Sequence, residues 1–226
     1  MVAGYSAAQV RAAEAPHLAA GEPLMRRAAA ALAAVLRREL DDAGAPSGPV
    51  VLLVGSGDNG GDALWAGAEL AEAGVVVTAI PTSERMHAEG GEAARSAGVR
   101  ILDPQDAEAT ADALGSAVVL VDGILGTGTS SSPALRGRAR DLVAAAIRAV
   151  ERNGARVVAV DLPSGIHPDD GSVPDPTVLR ADVTVTFGAV KAGLLRRPAA
   201  DHAGRVELVD LGLGPELATM TPLVEG

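Results

Sequence analysis

Cysteine is absent from the 226 residues, and that gap removes disulfides, thiolate metal sites and a cysteine nucleophile together. It also fits a reducing compartment. Aromatics are nearly missing: Tyr5, Trp65 and Phe187 are the only three, although hydrophobic residues make up 48% of the chain. A core with so few rings must come from Val, Leu, Ile and Ala, which suits buried parallel strands under alanine-rich helices. Lysine occurs once, at Lys191, and no basic run relieves a net charge of −10. That balance argues against a nucleic-acid partner, whose phosphates need a basic face. No apolar run is long either. Residues 28–36, nine in a row between arginine pairs, fall short of the roughly 20 that a bilayer span requires. Acidic residues come early and no cleavable apolar stretch precedes them, so neither a signal peptide nor a membrane is expected, and the expected location is cytoplasmic.

What is present alternates. Ser6-Ala-Ala-Gln9 has capping-box spacing and predicts a first helix to about residue 20. Pro23 restarts a second helix, in which Leu24, Ala28, Leu32, Val35, Leu36 and Leu40 recur at helical spacing. Strands are predicted at 50–54, 75–80, 117–121, 156–160, 181–187 and 205–209, with a weaker one at 99–102. Helical patterns fill 62–73, 89–97, 107–114 and 135–152. Unbroken apolar strands separated by helices predict an α/β fold: a three-layer αβα, Rossmann-like sandwich with a mostly parallel central sheet and two N-terminal helices. One domain over 1–226 is expected at this length.

In such sheets ligands bind at the carboxyl ends of strands, and the polar clusters fall there. The first follows Val50–Val54: Gly55-Ser-Gly-Asp58-Asn59-Gly60-Gly61-Asp62. Its glycines let a ligand approach backbone N–H groups, and the helix start behind them favours an anion such as phosphate. A plain turn with Asp62 as helix N-cap is the alternative. The second follows residue 121: Asp122, then Gly126, Thr127, Gly128, Thr129, Ser130, Ser131 and Ser132, a donor-rich loop able to cradle phosphate. The third is Asp161-Leu-Pro-Ser164-Gly165, with Asp161 where a catalytic carboxylate would sit. For each of these aspartates the alternative is a turn or cap residue. The fourth is Thr186-Phe-Gly188 through Lys191, whose ammonium can meet either a phosphate or a buried carboxylate. The four histidines (His17, His87, His167 and His202) show no metal-ligand spacing.

Taken together these segments resemble the NAD(P)H-hydrate epimerase family, the YjeF N-terminal domain. The family's Asn-Asn-Gly-Gly-Asp-Gly loop is similar to Asp58-Asn59-Gly60-Gly61-Asp62-Ala63, with departures at Asp58 and Ala63. Asp122 through Gly128, Asp161 through Gly165, Asp169-Asp-Gly171, Thr186 through Gly193, and the N-terminal Arg11-Ala-Ala-Glu14 and Leu24-Met-Arg-Arg extend the likeness over nearly the whole chain. The resemblance implies epimerisation of the R and S forms of hydrated NADH and NADPH and a bound potassium ion (K+). It implies cation ligands at Asn59, Asp122 and Ser164, and substrate contacts at 58–62, 126–132 and Asp161. It further implies a homodimer through the N-terminal helices, and an ATP- or ADP-dependent dehydratase, fused or separate, acting on the same metabolite. Inversion beside a ring nitrogen calls for a carboxyl that gives and takes a proton, and Asp161 is the candidate, with partial burial expected to raise its pKa. Two other readings stand beside this one. A nicotinamide oxidoreductase lacks a Tyr-x-x-x-Lys pair here, and its ribose acid, Glu84, comes late. A non-catalytic nucleotide-binding module would bind the ligand without turning it over.

Overall fold

The computed structural model describes residues 2–129 and 132–225. It opens with a short strand, β1 (Ala3–Tyr5), and two helices, α1 (Ala7–Ala19) and α2 (Leu24–Asp42). The capping box at Ser6 and Gln9 is formed, and Asp169 Oδ1 accepts from Ala7 N at 2.6 Å, fixing the start of α1 from across the molecule. Then come β2 (Val50–Val54), α3 (Asp58–Glu72), β3 (Val77–Pro81), α4 (Ala88–Ser96), β4 (Arg100–Ile101), α5 (Ala107–Ser116), β5 (Val119–Gly123), α6 (Gly137–Asn153) and β6 (Arg156–Val160). The chain closes with β7 (Val183–Phe187), β8 (Val190–Lys191), α7 (Ala200–Ala203), β9 (Arg205–Val209), α8 (Gly214–Leu217) and β10 (Val224–Glu225).

Seven strands form one sheet in the order β4-β3-β2-β5-β6-β7-β9, and every neighbouring pair is parallel. Because side chains alternate along a strand, the sheet feeds two cores. Val50, Leu52 and Val54 pack with α2 and α3, whereas Val51 and Leu53 pack with α5 and α6. The three-layer αβα architecture follows. The stripe on α2 is spent inside it: Leu32, Leu36 and Leu40 are each fully buried, and truncating any one to Ala would cost about 2–5 kcal/mol. Glu39, on the same helix and also buried, accepts from Arg156 at 2.5 Å and Arg205 at 3.0 Å, clamping α2 to two strands of the sheet.

Three differences from the sequence reading stand out. Helix α3 begins at Asp58, four residues before the predicted start, so Asp62 caps nothing: Gly57 is the N-cap and Asp62 lies one turn inside. Residues 75–76 and 117–118 precede their strands. And a small second sheet, β10-β1-β8, went unpredicted, its strands being too short for a period-2 pattern. In it Tyr5 pairs with Lys191. Among the described residues no helix is long and apolar enough to cross a membrane.

Candidate active site

The sheet order places a switch point between β2 and β5. Their connections leave in opposite directions, to α3 on one face and α6 on the other, and open a crevice at the carboxyl edge. Gly55 N donates to Gly123 O at 3.0 Å, drawing the two turns together. A Cβ at Gly60 would lie 2.1 Å from Gly55 O, and one at Gly126 would lie 2.3 Å from Asn59 Oδ1. Glycine is needed at both for close backbone approach. Residues 56–59 and 124–128 line a cleft of about 330 Å³. On the far side of Asp58 lies a smaller cavity of about 140 Å³, walled by Glu14, Leu24, Met25, Asp62 and Phe187. The exposed Asp58 side chain borders both.

Thr127–Thr129 form one 3-10 turn, and Arg11 reaches over from α1 to donate to Thr127 O at 3.2 Å. Ser132 accepts from Arg136 at 2.6 Å. The candidates Ser130 and Ser131 lie outside the described residues.

Beneath the cleft is an oxygen-rich cluster. Asp122, fully buried at the end of β5, accepts from Ser164 N at 2.8 Å and Ser164 Oγ at 2.6 Å. Asn59 Nδ2 donates to Val160 O at 2.5 Å and Leu125 O at 3.1 Å. Asp122 has no ion-pair partner among the described residues. Burial raises its carboxyl, and the hydrogen bonds from Ser164 and Ile124 pull the other way. A buried carboxylate, a hydroxyl and a side-chain amide oxygen are hard donors of the kind that an alkali cation takes. The three sequence-derived cation ligands are therefore brought together. No three His, Asp or Glu cluster as ligands for a metal ion among the described residues.

Asp161, directly after β6, is 5% exposed and adopts φ 67°, the only non-glycine positive φ among the described residues. Its Oδ1 is the shared acceptor of Thr186 Oγ1 at 3.1 Å, Phe187 N at 3.3 Å and the ammonium of Lys191. Lys191 is itself 2% exposed and also donates to Phe187 O at 2.8 Å. Of the two partners open to this lysine, the structure selects the buried carboxylate. Asp161 is thus buried in an ion pair.

The uncompensated carboxyls are its neighbours. Asp62 is pushed well above the usual range, first by burial and then by the negative charges of Asp161 and Asp58, with Lys191 opposing. Its Oδ1 has no hydrogen-bond partner among the described residues. Glu14 is half-buried at the inner face of α1 and is also raised, chiefly by burial, with Lys191 lowering it and Asp161 and Asp58 adding to the rise. The residue reading did not assign Glu14 to the site. Its position beside the buried Val10 and Ala13 was the available signal. The histidines act locally: His87 Nδ1 accepts from Gly90 N at 3.1 Å to cap α4, and His167 Nδ1 accepts from Asp169 N and Asp170 N at 3.2 Å.

Comparison with known proteins bears on this arrangement. Residues 21–193 match the model of the family described as YjeF-related protein N-terminus. A protein named NAD(P)H-hydrate epimerase from Clavibacter sepedonicus is 58% identical over 97% of this chain and 94% of its own length. One of the same name from Microbacterium testaceum is 48% identical over 99% of this chain and 84% of its length. The bifunctional NAD(P)H-hydrate repair enzyme Nnr of Mycobacterium leprae is 41% identical over 92% of this chain, which spans 41% of that longer protein. Among solved structures, that of yeast ynu0 superposes with a TM-score of 0.76 over 98% of this chain and 95% of that one; at 18% identity it speaks for the fold alone. By family model and by identity over nearly its full length, the chain belongs to the YjeF N-terminal family.

Proposed function

We propose that residues 1–226 act as one unit that interconverts the R and S epimers of hydrated NADH and NADPH at the β2–β5 switch point. The observation that carries the reading is convergence: Asp122 and Ser164, far apart in sequence, hydrogen-bond to each other, and Asn59, which lines the glycine-walled cleft, donates to the carbonyl of Val160, next to Asp161. The near-full-length likeness to proteins named NAD(P)H-hydrate epimerase supports the same reaction.

Hydrated NAD(P)H carries a hydroxyl on a ring carbon next to the ring nitrogen. Protonation of that hydroxyl lets the C–O bond break, its electron pair leaving with water, while the nitrogen lone pair forms a planar iminium. Water then adds to the opposite face and gives up a proton. Asp62, whose raised carboxyl keeps its proton to higher pH, is assigned the donation. Asp161, ion-paired with Lys191 and fixed by Thr186 and Phe187, is assigned the acceptance of the proton from incoming water. Residues 58–61 and 126–132 hold the phosphates, so the ring is presented rather than captured by chance. Asn59, Asp122 and Ser164 would hold a potassium ion, which would supply positive charge that offsets this acidic pocket.

Two copies would pair through the outer faces of the N-terminal helices, since the inner stripe of α2 is core. A dehydratase, fused or separate, would consume one epimer, as the bifunctional name of the mycobacterial relative suggests. The test incubates the purified protein with one resolved epimer of hydrated NADPH and follows its partner by chromatography, with and without potassium. Asp161→Asn is expected to lower the rate at least about 10²-fold. Near-normal turnover in that variant would remove Asp161 from its role.

A further inference from the structure

One charged group at the same sheet edge has no part in this chemistry: Arg138, in the first turn of α6. Its Nε donates to Pro81 O, at the end of β3, at 3.3 Å. Its Nη2 is covered and has no acceptor, and no carboxylate pairs with the guanidinium among the described residues. Arginines 27, 37, 38, 140, 156, 197 and 205 all have acidic partners. A covered donor without an acceptor is a cost that calls for an explanation.

The guanidinium borders a cleft of about 370 Å³ between α5 and α6, to which Gln105, Thr110 and Asp141 also contribute. Thr110 Oγ1 is likewise covered and without a partner among the described residues. Both helices start at the carboxyl edge of the sheet, so their positive ends add to the field there. Asp141 lines the cleft but forms no ion pair with Arg138.

Position gives this cluster its meaning. In a sheet of this order, a dinucleotide with its phosphates on the β2–α3 turn sends its adenosine ribose to the next strand outward, here β3. An acid at that strand end reads a ribose 2′-hydroxyl, whereas an arginine accommodates a 2′-phosphate. β3 ends in Pro81 and continues with Thr82 and Ser83; the first acid, Glu84, comes later in the exposed loop. Thr82 N donates to Val54 O at 2.9 Å, so this strand end adjoins the glycine turn. The group standing over it is Arg138.

We propose that Arg138 recognises the 2′-phosphate of the substrate's adenosine ribose, so that this chain prefers hydrated NADPH to hydrated NADH. The inference rests on the dinucleotide reading of the site. Arg138 lines the cleft, and its planar guanidinium fork matches phosphate oxygens two at a time.

The experiment compares kcat/KM for the two hydrates in the wild type, Arg138→Met and Arg138→Lys. The wild type is expected to favour hydrated NADPH by at least about 10-fold, as a charge-assisted hydrogen bond allows. Arg138→Met should erase most of that ratio, and Arg138→Lys, a point charge without the fork, should fall between. An unchanged ratio in Arg138→Met, or a wild type that favours hydrated NADH, overturns the proposal. Calorimetry with adenosine 2′,5′-bisphosphate and with 5′-AMP separates it from the catalytic reading. If neither hydrate is turned over, tighter binding of the bisphosphate that is lost in Arg138→Met still supports the subsite. Equal binding of the two probes overturns it.

Discussion

Replacing Lys191 by Met tests the electrostatic core of the site. The ammonium and the Asp161 carboxylate have side chains only 2% and 7% exposed, so neither can turn to water when its partner is lost. Removing one member of such a pair leaves a bare buried charge and costs about 3–5 kcal/mol. Lys191 also draws Asp62 and Glu14 down, so its loss drives both of these further up. In a chain of this size each kcal/mol moves the melting temperature by about 2–4 °C, giving an expected fall of about 6–20 °C. The double variant Lys191→Met/Asp161→Asn removes both charges and should recover most of the loss, because an uncharged replacement of a buried pair is often close to neutral. Urea unfolding of the four proteins in the cycle gives the coupling energy, expected to exceed about 2 kcal/mol. A single-variant cost under about 1 kcal/mol, or two single costs that simply add, would refute the reasoning.

Other outcomes follow from the same geometry. An acid whose value is higher in the folded than in the unfolded chain binds extra proton in the native state, so stability falls as pH rises through and above the ordinary carboxyl range. Asp62 is such an acid. Asp62→Asn should therefore stabilise the protein at about pH 8 and make little difference near pH 4, where wild-type Asp62 is already protonated; equal effects at the two pH values in thermal melts would contradict this. Its epimerase activity should fall in parallel with the loss of the proton donor, by about 10²-fold. Potassium at about 100 times its dissociation constant should add about 2.7 kcal/mol of stability over the same ionic strength of choline. Asn59→Ala should abolish most of that gain, and an undiminished gain in this variant would exclude Asn59 as a ligand.

The layered fold was readable because its signals are long and repetitive. Five apolar residues at Val50–Val54 and the stripe from Leu24 to Leu40 leave little choice of element, and alternate strand residues fill the two cores as their spacing dictates. The start of α3 was misread because glycine at positions 60 and 61 reads locally as turn. There tertiary contact overrides propensity: the helix needs glycine to pass close to Gly55 O. Convergence of Asn59, Asp122 and Ser164 was accessible from strand-end placement and family likeness. The pairing of Lys191 with Asp161 was open between two partners, because sequence gives no depth. Glu14 and Arg138 escaped because each sits on a helix whose contribution to the site depends on how that helix is laid against the sheet.

Asp161 carries one more consequence through its backbone. Left-handed geometry of this kind is entered at little cost by glycine, asparagine and aspartate, and at about 1–3 kcal/mol by most others. A saturation screen at this codon would therefore mix two kinds of failure, chains that cannot hold the bend and chains that hold it without a carboxylate. The amide isostere separates them while keeping the side chain's shape, which makes that one substitution worth more than the rest of the scan.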